Sequence, residues 1–239
     1  MKTVLITGAN KRIGEKTTCF FAARKWNVVI HFNSDKDGAN NLIKKLKSDY
    51  PNQKFYGVQQ DFSTGYHSAD ELFIKLKSLN IKIDVLINNA SNFLEGSIAE
   101  TEKEIFEKSF KVNFETPFFL MNKFAAIYDE GVIINVLDRR IKNNDTSYAA
   151  YSLSKKSLAS LTKMAAKEFA PKIRVNGVAP GPVLPPNNKD NFYLYEMSQK
   201  TPLKEPVKLD NLLESIYFLV TNSSITGQII FCDSGAHLL

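Results

Sequence analysis

VLITGANKRIG, residues 4–14, passes from an apolar run into a turn bounded by Gly8 and Gly14 and then into a segment of helical pattern. A strand that breaks at glycine and leads into a helix leaves unpaired backbone N–H groups at the helix start. Those groups, with the positive end of the helix dipole, can hold a pyrophosphate. One position departs from that picture, because Arg12 places the bulkiest cationic side chain where such turns usually keep a glycine. The spacing alone is a weak signal, since a tight strand-to-helix turn needs no ligand. Its meaning depends on the rest of the chain.

Working outward, short β-branched runs alternate with amphipathic segments of helical length. The strand candidates are TVLI (3–6), NVVIHF (27–32), KFYGVQQ (54–60), IDVLI (83–87), GVIINV (131–136), IRVNGV (173–178) and QIIFC (228–232). Helical patterns fall near 14–25, 36–49, 67–79, 101–127, 148–170 and 208–221. Continuous apolar strands are buried on both faces, and their alternation with helices implies right-handed crossovers in a parallel sheet. The expected fold is α/β, a doubly wound, seven-stranded parallel sheet flanked by helices. A chain of 239 residues suits one such domain, with a cofactor half over about 1–130 and a catalytic half over about 131–239. The irregular stretch APGPVLPPNNKDN (179–191) follows a strand and is expected to be a mobile active-site loop. In such a sheet ligands bind beyond the carboxyl ends of the strands. That gathers Thr7 to Gly14, Asp61, Asn88 to Phe93, Asp138 and Pro180 to Pro182 around one crevice.

Composition excludes other classes. Lys and Arg number 31 against 25 acidic residues, a formal charge of +6, yet the lysines are spread along helical segments such as NLIKKLKSDY (41–50). No basic block interleaved with aromatics appears, so the charge reads as solvated helix faces and nucleic acid is not an expected partner. The positive balance still suits an anionic cofactor. Cys19 and Cys232 stand far apart in apolar surroundings with no companion histidine cluster. They read as buried thiols in a reducing compartment, and no metal site is expected. No apolar stretch reaches spanning length, and MKTVLITGAN reads as a strand and not a signal peptide, so the expected location is cytoplasmic, without a membrane partner.

The chemistry centres on YSLSK (151–155). Tyr151 and Lys155 stand four apart in a helical pattern and so share a face. An ammonium a few ångströms from a phenol favours the phenolate, which predicts a Tyr151 pKa lowered toward the working range of a general acid.

Taken together, TGANKRIG (7–14), NNAS (88–91), KVNF (111–114), YSLSK and RVNGVAPGPV (174–183) resemble the short-chain dehydrogenase/reductase family in order and spacing over essentially the whole chain. The resemblance implies a Rossmann-type domain binding a nicotinamide dinucleotide. By it, Tyr151 is the proton donor, Lys155 lowers its pKa and holds the nicotinamide ribose, and Asn113 supports the lysine through a water. Asn88 and Ala90 lie near the cofactor ribose and Asp61 contacts the adenine. Pro180 and Gly181 begin the loop that closes over nicotinamide and substrate. Gly8, Ile13, Gly14, Phe62 and Val183 complete the expected cofactor contacts. A homotetramer is also implied.

Two departures narrow the reading. The family's common catalytic serine lies thirteen residues before the tyrosine, and that place holds Asp138. The other departure is Arg12. With NNASNF (88–93), both changes resemble the pteridine reductase branch, which includes bacterial dihydromonapterin reductases. The expected substrate is therefore a pterin or a folate-like ring. Arg12 is expected to reach both the pyrophosphate and an acceptor edge of that ring. Asp138 is expected to relay a proton to a ring nitrogen and Phe93 to stack on the ring, with Ser91 and Pro182 also on the substrate side. At the end of the second strand Phe32 occupies the place of the acid that NAD-specific members use, followed by Asn33 and Ser34, with Lys11 nearby. A 2′-phosphate, hence NADPH, is the expected choice, although Asp35 lies close in sequence. The alternatives are an NADPH-dependent carbonyl reductase, such as one acting on a 3-oxoacyl thioester, and a non-catalytic NADP(H)-sensing protein.

Overall fold

The strands form where aliphatic and β-branched residues run together, with Arg174 in the sixth the one charged residue among them. In a computed structural model that describes residues 1–185 and 190–239 they are β1 (Thr3–Ile6), β2 (Asn27–Phe32), β3 (Phe55–Gln59), β4 (Val85–Asn88), β5 (Gly131–Val136), β6 (Ile173–Pro180) and β7 (Ile229–Cys232). All pair in parallel in the order β3-β2-β1-β4-β5-β6-β7. The expected doubly wound, seven-stranded parallel sheet is the observed one. Its order reverses between β1 and β4, the place where a crevice opens beyond the strand ends.

The helices are α1 (Arg12–Ala23), α2 (Lys36–Asp49), α3 (Tyr66–Ser78), α4 (Lys103–Phe110), α5 (Thr116–Ile127), α6 (Ala149–Glu168), α7 (Asn191–Ser198) and α8 (Leu209–Thr221). α1, α2, α3, α5, α6 and α8 lay apolar stripes on the sheet, which divides the core in two. Leu72, Phe73 and Leu76 of α3, Leu120 and Phe124 of α5, and Leu158 of α6 pack on one face. On the other, Phe21 of α1, Leu42 and Leu46 of α2, and Leu212, Ile216 and Leu219 of α8 pack together. Full burial of such side chains contributes about 1.5–3 kcal/mol each. Among the described residues no helix is long and apolar enough to cross a membrane.

Three expectations are corrected. The helical pattern at 101–127 is broken by a π-helical turn over Lys111–Glu115 that joins α4 to α5. Pro117 has no N–H, so the α-helical bond it would donate to the carbonyl of Asn113 cannot form. The stretch 179–191 is not irregular from its start, because β6 continues to Pro180, paired with Cys232. After it comes α7, which the alternation did not predict; it is capped by Asp190, whose carboxylate accepts from Phe192 N–H. Residues 186–189 of the expected loop lie outside the described residues.

Candidate active site

The turn after β1 is built by contacts that polar residues from three strands supply. Gly8 has φ 60, in the left-handed region that glycine adopts without steric cost. Gly14 cannot carry a side chain, since a Cβ there would sit 1.9 Å from the Gly8 carbonyl oxygen. Asn89 Nδ2 donates to the carbonyls of Thr7 (2.8 Å) and Gly8 (3.1 Å), and Thr7 Oγ1 accepts from the N–H groups of Asn89 and Ala90. His31 Nδ1 accepts from Gly8 N–H at 3.0 Å, while Nε2 lies 2.9 Å from the Gln60 carbonyl. Those partners require a neutral ring with its proton on Nε2. Burial pushes the His31 pKa down to about 4.

That shift has a measurable consequence. With an ordinary pKa of 6.5 and a folded value of about 4, the unfolded chain binds more protons between those limits. Stability from this group is then fully present above pH 6.5 and is lost as pH falls through 4, by about 3 kcal/mol. In urea unfolding, His31→Gln is expected to show a shallower loss of stability than the parent between pH 6.5 and 4. Parallel curves would show that His31 is not held neutral.

Arg12 adopts φ 52, a conformation that costs a side-chain-bearing residue about 1–2 kcal/mol. Its guanidinium donates to the Pro185 carbonyl at 3.0 Å and, more weakly, toward Leu184 at 3.4 Å. The arginine therefore ties the turn after β1 to the segment that follows β6.

At the other end of the crevice, β5 delivers Asp138 and α6 delivers Tyr151 and Lys155. The Tyr151 hydroxyl donates to Asp138 Oδ2 at 2.8 Å. Lys155 Nζ donates to the Val136 carbonyl at 2.8 Å and lies 6.0 Å from the Tyr151 ring centroid. Phe93 stacks on Tyr148 (centroids 4.2 Å, 18°) and meets Tyr151 edge-on at 4.7 Å. The bridge between Gly96 and Tyr148 holds the Phe93 loop against the start of α6. A crevice of about 790 Å³ runs between the two ends. Gly8, Lys11, Ile13, Asn33, Ser34, Asp61, Phe62, Ala90, Ser91, Pro180, Gly181, Pro182 and Val183 also line it, which brings most of the expected site residues together.

Comparison with known proteins agrees with that geometry. The family profile described as short chain dehydrogenase matches residues 2–193. The chain belongs to the short-chain dehydrogenase family. An uncharacterized oxidoreductase of Thermotoga maritima is 31% identical, with 98% of this chain and 97% of that protein covered. A dihydromonapterin reductase of Escherichia coli is 25% identical, covering 98% and 96%. The solved structure of FolM alternative dihydrofolate reductase 1 from Brucella suis in complex with NADP superimposes with a TM-score of 0.85 at 28% identity, covering 100% of this chain and 96% of that one. Each of these relatives spans the whole fold and not one motif of it, and the chain is an oxidoreductase of the short-chain dehydrogenase type.

Within this family framework several expectations need correction. The Tyr151 pKa is not lowered. Burial and the adjacent Asp138 carboxylate, which accepts its proton, push it well above the usual phenol value, and Arg140 only partly offsets them. The lysine itself moves the other way, its pKa brought to about 8 by burial. Asn88 does not face the crevice. Its side chain donates across the sheet to Asn135 Oδ1 at 2.8 Å, and the neighbouring Asn89 takes the place at the turn. Phe32 is buried in the sheet, leaving Asn33 and Ser34 at the strand end. The Asn113 side chain is fully buried. It accepts from Ser91 Oγ and Asn92 N–H and donates to Ser154 Oγ, which in turn donates to the Tyr151 carbonyl. Asn113 thus braces the helix that carries both Tyr151 and Lys155. His31, Arg140 and Tyr148 were not expected at the site; Tyr148 and Arg140 were detectable as an aromatic and a cation within three residues of Tyr151 and Asp138.

Proposed function

We propose that the chain is an NADPH-dependent reductase of a pterin-type ring, such as a dihydropterin or dihydrofolate. The observation that carries this reading is the hydrogen bond from Tyr151 to Asp138 beneath the exposed ring of Phe93. Reduction of a carbonyl and of a ring C=N each consume a hydride and a proton; a hydroxyl beside the phenol suits polarising a carbonyl, whereas a carboxylate there can pass a solvent proton on to the phenolate. A carboxylate on the phenol offers that replacement route. The dihydromonapterin reductases and the NADP-bound FolM structure among the relatives support the same choice.

The residues present fit the dinucleotide. The close approach at Gly14 leaves backbone N–H groups free to face phosphates. Asp35 is no obstacle to a 2′-phosphate in the way an acid at the ribose would be. Its carboxylate caps α2 through Gly38 N–H at 3.0 Å and pairs with Lys11 at 3.1 Å. Lys11, Asn33 and Ser34 remain at the strand end to meet the phosphate. NADPH supplies the hydride when bound. Lys155, buried beside the crevice, donates to ribose hydroxyls, and Tyr151 gives its proton to the ring nitrogen. A solvent proton, relayed through the Asp138 carboxylate, then restores the phenol, while Phe93 covers the ring.

Removal of the Lys11 charge should erode cofactor choice. Lys11→Ala is expected to reduce the preference for NADPH over NADH in kcat/KM by about tenfold, since a charge-assisted contact of about 1.4 kcal/mol suffices. An unchanged ratio would remove Lys11 from phosphate recognition. The functional reading as a whole is tested by a structure with NADP and a dihydropterin. The ring is expected against Phe93 with a nitrogen in hydrogen-bond reach of Tyr151 or Asp138, and a ring held elsewhere would contradict the reading.

A further inference from the structure

Arg140 is the most heavily committed cation near the site, and nothing in the proton route described above uses it. Its Nε donates to Asp145 Oδ2 at 3.0 Å. Its guanidinium carbon lies 5.1 Å from the Phe93 ring centroid and 5.0 Å from that of Tyr148, against the stacked pair. Its backbone N–H donates to Asp138 Oδ1 at 2.8 Å, and its Nη1 lies 3.7 Å from the same oxygen. The two oxygens of Asp138 are thereby distinguished, Oδ1 facing Arg140 and Oδ2 accepting from Tyr151.

We propose that Arg140, anchored by Asp145 and by the Phe93–Tyr148 ring pair, is a positioning residue that holds the Asp138 carboxylate turned toward the Tyr151 hydroxyl. A carboxylate on a short turn is free to rotate about its side-chain torsions, and loss of its orientation would separate it from the phenol. The backbone bond restrains the turn, while the guanidinium supplies the opposing charge. Burial of Arg140 is tolerated because two carboxylates flank it, and the aromatic faces favour a cation there. The groups that act on this cluster are few. From α6 come Tyr151 and Lys155, and from the loop before it Asp145 and Tyr148, the latter also facing Glu95 and Tyr193. From the C-terminal turn packed against residues 139–141 comes His237, whose ring is bonded to Asp233.

The proposal rests on the Asp138–Tyr151 reading but not on the substrate, so each variant is assayed with a dihydropterin and with a small diketone. Arg140→Gln is expected to lower kcat about tenfold or more while the NADPH Kd stays within about twofold. The KM for substrate should change by less than about threefold, because what is lost is the orientation of the carboxylate and not the crevice. Arg140→Lys should recover part of kcat, since charge is retained but the planar fork is not. Asp145→Asn should lower kcat in the same direction as Arg140→Gln by less. A kcat in Arg140→Gln within about twofold of the parent, on whichever substrate the parent reduces, overturns the proposal, as does a lysine variant no better than glutamine. Absence of pterin turnover in the parent would instead contradict the proposed function and leave the diketone arm to decide the role of Arg140.

Discussion

Tyr151→Phe is expected to lower turnover by about a hundredfold or more, with NADPH affinity changed by less than about twofold. Tyr151 is 5% exposed and its hydroxyl donates to Asp138 Oδ2, so deletion of one oxygen removes both the donor and the only hydroxyl of the pair. Phenylalanine fills the same volume, which keeps the ring against Phe93 and limits the cost to chemistry. The raised pKa sharpens the expectation. In the cofactor-free protein Tyr151 is a neutral phenol across the physiological range, held so by burial and by Asp138. The acid is therefore loaded, and what catalysis requires is a way to stabilise the phenolate left behind, which the charged Lys155 and a solvent proton relayed through Asp138 provide. Equilibrium fluorescence titration and steady-state kinetics on the same preparation separate binding from chemistry. Near-normal turnover would remove Tyr151 as proton donor.

Lys155→Met should damage both steps. Loss of charge-assisted hydrogen bonds to a ribose is expected to weaken NADPH binding by about ten- to a hundredfold, and loss of the cation near the phenolate to lower kcat by a comparable factor. The sign of the pH dependence follows from burial. With a pKa of about 8 in the free protein, Lys155 is mostly an ammonium at pH 7 and becomes a neutral amine as pH rises through 8. The ammonium is the form that donates most strongly and attracts an anionic cofactor, so parent NADPH affinity should fall across that interval. Isothermal titration at several pH values should show the fall in the parent and a flat, weak profile in Lys155→Met. A parent affinity that is constant from pH 7 to 9 would indicate that the lysine charge does not contribute.

What was legible in the sequence, and what was not, divides along physical lines. The alternation of apolar runs with amphipathic segments is a statement about burial on two faces of a sheet, and the seven strands followed from it within a few residues. Tyr151, Lys155 and Asp138 came together because strand ends and a helix turn determine where a side chain points. Asn88 failed for the same reason inverted. Successive residues at a strand end point to opposite faces, so a shift of one position exchanges a crevice residue for a core one, Asn89 for Asn88 and Asn33 for Phe32. The Tyr151 pKa failed because spacing conveys that a lysine is near but not that the phenol is buried, nor that its hydroxyl donates a hydrogen bond to Asp138. The π-helical turn left no mark on the periodicity, although Pro117 carried its cause. Arg12 illustrates a different limit. Its cation was read against phosphate and substrate; its guanidinium also donates to the carbonyls of Leu184 and Pro185, 172 and 173 residues distant in the chain. No local pattern encodes such a pairing.

The central claim is that the Asp138–Tyr151 pair serves a ring nitrogen, and the ratio of kcat/KM for a dihydropterin to that for a small ketone or 3-oxoacyl thioester tests it most directly, in the parent and in Asp138→Ser with NADPH saturating. The parent should favour the dihydropterin, with tetrahydropterin formed in step with NADPH oxidation. Asp138→Ser, in which a hydroxyl can polarise a carbonyl but is a poor proton relay, should reduce that ratio by about tenfold or more. A parent that prefers the carbonyl substrate, or an Asp138→Ser variant that loses both activities equally, would contradict the account.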